Sequence, residues 1–419
     1  MSDVVYDVAI VGGGLAGINA GVTAWEEGLS TILIESSDEF GGKLRSDRDD
    51  EGFTYDRGFQ VNFSSYDEIP VYAQGLLGDL AESYSPGAKI VGCGELNQWD
   101  PLKSLFCKAV SLPDLLTLLK LNLFAKKWQS FQTRQTAHEF LVEFGFSPNC
   151  IAKFFTPFLG GIFLDRSLSF SARQFLKTWF FLSQGSTVTF SEGIQCLPGA
   201  LLSEFALDPS NIETAFHKRL NSRVTSIVPS EGGFDVSTNS ELIRARSVVI
   251  ATDPSAAGHL LSQQFKADYK SSICLYFSSD KQITSGRSIV LNPTSTALIN
   301  QLVPLSNVNP ACAPKGKNLC SATIIGERTE SDEELAAMAI NEMNTWGMNL
   351  PPLEFKRAYR IKEAQLLQDP GFEDNVSSIE THLSGVFLAG EMTTSSSIND
   401  ALKSGRLAAE AALAYLKNK

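Results

Sequence analysis

The sequence predicts an α/β protein, and three stretches carry that prediction. Val8-Ala9-Ile10-Val11 runs through Gly12-Gly13-Gly14-Leu15-Ala16-Gly17 to a second apolar run, Thr31-Ile32-Leu33-Ile34, closed by Glu35. Apolar and polar residues mix from Val224 to Val228 and alternate from Phe234 to Val236, ahead of the continuous run Val248-Val249-Ile250. Val386-Phe387-Leu388-Ala389 is short and wholly apolar, as a buried strand is, and it leads through Gly390-Glu391 to an alanine-rich helix.

The first stretch has the spacing of a Rossmann-like dinucleotide turn. Gly12 permits the tight turn, Gly14 lets the main chain approach a pyrophosphate, and Gly17 brings helix against strand. Leu15 and Ala16 open the helix, whose first amides have no partner of their own and are offered to phosphate oxygens. Glu35 is placed to accept hydrogen bonds from an adenosine ribose, which argues against a 2′-phosphate. FAD and NAD share this ADP half, so the fingerprint alone leaves both open.

The acid is followed by Phe40-Gly41-Gly42-Lys43-Leu44-Arg45-Ser46 and then by Gly52-Phe53-Thr54-Tyr55-Asp56-Arg57-Gly58. Paired glycines let main chain run close to a ligand, and Lys43 and Arg45 bring positive charge toward a diphosphate. With these residues the chain resembles the flavin-containing amine oxidase and phytoene desaturase superfamily. The resemblance runs nearly end to end, but its specific motifs lie in the cofactor-binding part. It implies a Rossmann-like FAD-binding domain of the GR2 type with an interleaved α+β substrate domain. Gly41, Gly42, Lys43, Arg45, Asp56 and Gly58 would then line the FAD site, Val224 would meet the adenine through its main chain, and Ala251-Thr252 would lie under the ADP moiety. Gly390-Glu391 matches the position where relatives contact the ribityl chain or pyrophosphate.

By the same resemblance, the helix after Ser397-Ile398-Asn399-Asp400-Ala401 points its positive end at the flavin pyrimidine, favouring the reduced ring. Relatives usually carry Gly where this chain has Asp400, so Asn399 or the main chain of Ala401 would take the flavin contact. Ser397 and Asp400 also read as a capping box, which needs no cofactor. No cysteine stands between Thr393 and Ala401, so FAD is expected without a covalent bond there.

Along the 419 residues there is no repeat or low-complexity linker. The FAD-binding domain is expected from 1–68, 190–256 and 372–419, and the substrate domain from 69–189 and 257–371. The first insert looks helical. The second mixes strands such as Ile273–Phe277 with a helix from Asp332 to Trp346 that starts at Ser331. Phe154, Phe155, Phe158, Phe163, Phe170, Phe175, Trp179, Phe180 and Phe181 form either an aromatic substrate wall or plain core. The stretch 101–127 is leucine-rich and locally basic, with Lys103, Lys108, Lys120, Lys126 and Lys127, so it is either a peripheral membrane contact or a solvated helix pair.

Composition narrows the classes further. A formal charge of −12 disfavours nucleic acid, and seven cysteines without a CxxC pair beside four histidines predict thiols in a reducing, cytoplasmic setting and no metal site. The acidic start Met1-Ser2-Asp3 does not read as a signal peptide. The function expected is an FAD-dependent oxidoreductase of amine oxidase or desaturase type, moving a hydride from an apolar or amine-type small molecule to flavin N5, with the electron acceptor open. Lys270 and Tyr359 are the catalytic candidates that the resemblance suggests, the first as a lysine near N5 and the second as part of the flavin wall. An NAD-dependent dehydrogenase and a non-redox lipid-binding protein on the same fold are the alternatives.

Overall fold

A seven-stranded sheet forms around Val5–Val11, which pairs in parallel with Thr31–Ile34 on one side and Leu242–Ile250 on the other. The computed structural model describes residues 4–97, 104, 106–203 and 216–419. Phe216–Arg219 extends the sheet beyond Thr31–Ile34.

Along the edge away from Val5–Val11, Leu242–Ile250 serves two further neighbours. Its first half runs antiparallel to Gly233–Thr238, which pairs with Val224–Ser230, and its second half runs parallel to Val386–Leu388, with Val248 opposite Val386. Burial changes with the partner. Exposed and buried residues alternate as far as Arg246, and then Ser247, Val248, Val249 and Ile250 are all buried, as expected where a strand leaves a one-sided antiparallel region for a parallel core covered on both faces.

One face carries Val8, Ile10, Leu33 and Val249 beneath the helices Leu15–Glu26 and Ile398–Lys417. The other carries Ala9, Val11, Ile32, Val248 and Ile250 against Ala257 and Leu261 of the helix Pro254–Leu261. Backbones meet closely on the first face. A Cβ on Gly17 would stand 1.8 Å from the Gly12 carbonyl oxygen, and one on Gly405 would stand 2.1 Å from the Ala16 carbonyl oxygen. Asn19, buried, donates to the Leu402 carbonyl at 2.7 Å and fixes the two helices together.

A second seven-stranded sheet has the order Glu354–Leu366, Tyr269–Ser279, Asn318–Ile325, Gln301–Val303, Ile289–Leu291, Ala88–Ile90 and Gly94–Leu96. Two of its strands therefore come from the insert expected to be helical. Each is three residues long, too short for a period-2 pattern to register in the sequence. The helix Asp332–Asn344 covers this sheet and begins with a reciprocal capping box between Ser331 and Glu334. Four helices, Leu112–Phe124, Ala137–Phe144, Thr156–Phe163 and Ala172–Gln184, enclose a separate core in which Phe154, Phe155, Phe175 and Trp179 are fully buried.

The Gly405 contact gives a stability test. Gly405→Ala forces backbone against backbone and is expected to cost about 1–3 kcal/mol. Gly75→Ala, in a helix where a Cβ meets nothing within 4 Å, should be neutral or stabilising by about 0.5–1 kcal/mol. Urea denaturation of the two variants checks the contrast, and equal midpoints would contradict the packing account.

Candidate active site

Between the sheets lies a cavity of about 1440 Å³. It is larger than the roughly 300–1,000 Å³ that encloses a drug-sized ligand, so a dinucleotide and a second molecule have room together.

At one end Gly12, Gly14, Leu15 and Ala16 meet Ile34, Glu35, Val224, Ala251 and Thr252. The helix Leu15–Glu26 has no side-chain cap and no acid in its first turn, so its leading amides are left for whatever the cavity holds. Glu35 is fixed by its own neighbours: one carboxylate oxygen accepts the Gly13 N–H and the other the Ser37 N–H, both at 2.7 Å. The glycines divide by cause. Gly12 has φ +107° and would clash with Ala251, whereas Gly14 has φ −75° and its Cβ would find only the Gly42 Cα, at 3.9 Å. The fold does not demand glycine at 14. The open space beside it is a cradle that a side chain would begin to fill, which fits a phosphate-bearing ligand.

In the middle Lys43 pairs with Glu391 at 2.6 Å. Glu391 also accepts from the Tyr269 hydroxyl at 2.9 Å and the Ser396 hydroxyl at 2.8 Å, and the Lys43 ammonium sits 4.9 Å from the Tyr269 ring centroid. Burial, reinforced by the Glu391 charge, pushes the Tyr269 phenol well above its ordinary pKa, so it remains a donor.

The far end is largely apolar, with Gln301 and Thr323 among its polar members. Phe158, Phe163 and Phe181 line it with Leu182, Ile289 and Leu291, while Phe154, Phe155, Phe170, Phe175 and Trp179 are core and do not reach it. The aromatic stretch thus divides between wall and core. Thr323, also on the wall, has a buried hydroxyl without a hydrogen-bond partner, a polar atom available to a bound molecule.

Gly41, Gly42, Gly58, Gly390, Ser397, Ile398, Ala401 and Tyr359 also line the cavity. Gly17, Arg45, Asp56, Asn399 and Lys270 do not. Gly17 is used in helix packing, and Arg45 reaches Asp38 at 3.1 Å and Glu39 at 2.8 Å. Asp56 accepts the Ser46 hydroxyl at 2.7 Å and the Ile194 N–H at 2.9 Å, and burial raises its pKa. Asn399 donates to Asp67 at 2.8 Å and accepts the Glu68 N–H at 3.1 Å. Lys270 follows Tyr269 on a strand whose pairing is irregular between Lys270 and Ser272. Tyr269 lines the cavity, whereas Lys270 does not and lies 3.7 Å from Asp165. Tyr359 reaches the cavity, but its hydroxyl is committed to Asp47 at 2.6 Å.

Two groups on the wall were not anticipated from the sequence. Tyr269 could have been found by moving one residue along the strand from Lys270. Lys177, on the helix Ala172–Gln184, gives no local signal: it forms an ion pair with Asp400, 223 residues away. Asp400 is buried at the third position of the helix Ile398–Lys417, where its amide donates to Ser397 Oγ at 3.0 Å. Its carboxylate accepts from the Ser395 and Ser397 hydroxyls as well as from Lys177. The expected capping box is therefore half formed, with Lys177 taking the carboxylate.

Residues 15–413 match the family described as flavin containing amine oxidoreductase. Seventy-four residues are 35% identical to the chloroplastic/chromoplastic 15-cis-phytoene desaturase of Narcissus pseudonarcissus, a match covering 18% of this chain and 12% of that enzyme's length. A similar match, 33% over 73 residues, is found with the desaturase of Arabidopsis thaliana, covering 17% of this chain and 12% of that one. Among solved structures, an oxidoreductase from Methanosarcina mazei superposes with a TM-score of 0.74 at 13% identity over 96% of this chain and all of its own. Putrescine oxidase bound to putrescine superposes with a TM-score of 0.69 at 14% identity over 98% of this chain and 99% of that one. Both superpositions show a shared fold.

Gly14→Ala separates cradle from scaffold. The variant is expected to unfold at the wild-type urea midpoint but to retain FAD at least tenfold more weakly. Unchanged retention, measured by flavin released on gel filtration, would remove the cradle from the site.

Proposed function

Because the chain belongs to the flavin containing amine oxidoreductases, we propose that it is an FAD-dependent oxidoreductase acting on an apolar small molecule, and that the cavity between its two sheets is where FAD and substrate meet. FAD, when bound without a covalent link, supplies the acceptor for a hydride at N5. Residues of this chain do the rest. Glu35 takes the adenosine ribose, the amides of Leu15 and Ala16 with Gly14 and Gly42 take the pyrophosphate, and Glu391, held by Lys43, Tyr269 and Ser396, meets the chain beyond it.

The observation that carries the substrate class is the far wall, with Phe158, Phe163, Phe181 and Leu182 facing Ile289 and Leu291. Such a wall excludes water and orients an apolar molecule by shape. A cationic amine would look for a carboxylate; Glu391 and Asp400 are each already paired with a lysine, Glu35 is held by main-chain amides, and Asp253 and Glu363 on the same wall are exposed to solvent. That favours a desaturase-type substrate over an amine.

The helix Leu112–Phe124 supports delivery from a membrane. Leu112, Leu116, Leu119 and Leu123 recur at spacings of four, three and four and are between 41% and 67% exposed, while Leu115, Leu118 and Leu121 face the core. Lys108, Lys120, Lys126 and Lys127 are near this stripe in a chain of net charge −12, so an anionic bilayer is the surface it matches. Pro101, Leu102, Lys103 and Leu105 lie outside the described residues. No helix among the described residues is long and apolar enough to cross a membrane. The striped helix packs on Ala172–Gln184, whose Lys177, Thr178, Phe181 and Leu182 line the cavity.

Protein loaded with FAD should absorb at about 450 nm and bleach anaerobically with a polyene or another apolar C–H donor, but not with aliphatic amines. Bleaching by amines alone would reverse the substrate class, and failure to take up FAD would end the proposal. In flotation assays the protein should associate with phosphatidylserine vesicles and not with phosphatidylcholine ones. Leu116→Asp with Leu123→Asp should abolish the association, and equal binding of this double variant would contradict the membrane role.

A further inference from the structure

We propose that Lys177 is a positioning residue that sets the reduction potential of the bound FAD by cancelling the charge of Asp400. This rests on the cavity being the FAD site. With ribose at Glu35 and pyrophosphate at the N-terminus of Leu15–Glu26, the remainder of the cofactor leaves past Lys43 and Glu391. That direction leads to the start of the helix Ile398–Lys417, where Ser397, Ile398, Asp400 and Ala401 line the wall beside Lys177.

An unencumbered helix N-terminus carries roughly half a positive charge and favours an anion. Here a buried carboxylate at the third helical position adds a full negative charge, and by itself it would make the helix end repel the electron density a flavin gains on reduction. Lys177 restores the sign. The sum is about +0.5 with both side chains present, about −0.5 without Lys177 and about +1.5 without Asp400, by simple addition of unit charges to the dipole. Both groups are well buried, with 14% of the Lys177 side chain exposed and 3% of that of Asp400, so solvent screens the effect little.

Lys177 is held for this task from three sides. Its ammonium donates to Asp400 and, at 3.2 Å, to Ser395 Oγ, and it sits 5.4 Å from the Trp128 ring centroid. Its helix comes from an insert, whereas Asp400 belongs to the cofactor-binding sheet's own covering helix. The pair therefore joins the part of the chain that surrounds the substrate to the part that holds FAD.

The test is the midpoint potential of FAD-loaded protein in four forms: wild type, Asp400→Asn, Lys177→Met and the double variant. Asp400→Asn should raise the potential and Lys177→Met lower it. Each shift should change the relative affinity for reduced over oxidised FAD by at least about tenfold, or about 30 mV for a two-electron couple. The double variant should return to the wild-type value, and Lys177→Arg should keep it. A purely structural pair would move both single variants in the same direction. If Lys177→Met does not fold, Asp400→Asn and Lys177→Arg still decide the matter, because the first must rise and the second must stay. FAD bound normally with an unmoved potential in Asp400→Asn overturns this inference alone, while a wild-type protein that takes up no FAD overturns the site reading with it.

Discussion

Close approach of main chain to main chain is the constraint on which the rest of this structure depends. Gly17 lets the first helix sit on the turn at Gly12, and Gly405 lets the last helix sit on the first at Ala16. These contacts tolerate no Cβ. They bring two helix N-termini, separated by more than 380 residues of sequence, to one cavity. The Asn19 hydrogen bond to the Leu402 carbonyl fixes the helices against sliding. Dispersion and burial follow from this geometry, since the apolar faces of Val8, Ile10 and Val249 are covered only when both helices lie close.

Two ion pairs stand on the cavity wall. Lys43 answers Glu391 and Lys177 answers Asp400, and each carboxylate takes further hydrogen bonds from hydroxyls. A buried carboxylate without such partners would be costly. Pairing keeps the interior near neutrality while leaving dipoles, amides and hydroxyls to act locally. The two ends of the cavity accordingly differ in kind, with main-chain amides at one and apolar side chains at the other.

Much of this could be read from the sequence where the signal was local. The turn from Gly12 to Gly17, the acid at Glu35 and the short apolar strand before Gly390 are contiguous patterns whose physics needs no distant partner. The rest is decided by a local irregularity or a remote partner. Lys270 and Tyr269 differ by a single strand position beside an irregularity in the pairing, and only Tyr269 lines the cavity. Of Asn399 and the main chain of Ala401, the two expected flavin contacts, Ala401 lines the cavity and Asn399 bonds to Asp67 and Glu68, whose proximity nothing local announces. Lys177 is one lysine on an amphipathic helix until Asp400 is known to lie against it. The strands Ala88–Ile90 and Gly94–Leu96 are too short to display a period; the first is fixed by pairing with Ile289–Leu291, far along the chain, and the second by pairing with the first.

The wall around the cavity is built from both ends of the chain, with Gly12 to Ala16 on one side and Gly390 to Ala401 on the other. During synthesis the N-terminal strand emerges long before Val386–Leu388, the strand that completes the sheet beside Leu242–Ile250. The nascent polypeptide must therefore wait through most of translation with its first strand and helix only partly covered, a stage at which such surfaces invite chaperones. No complete cradle exists on the ribosome until residues near 401 have left the exit tunnel. A ligand that needs both ends of the chain can therefore stabilise it only after those residues are made.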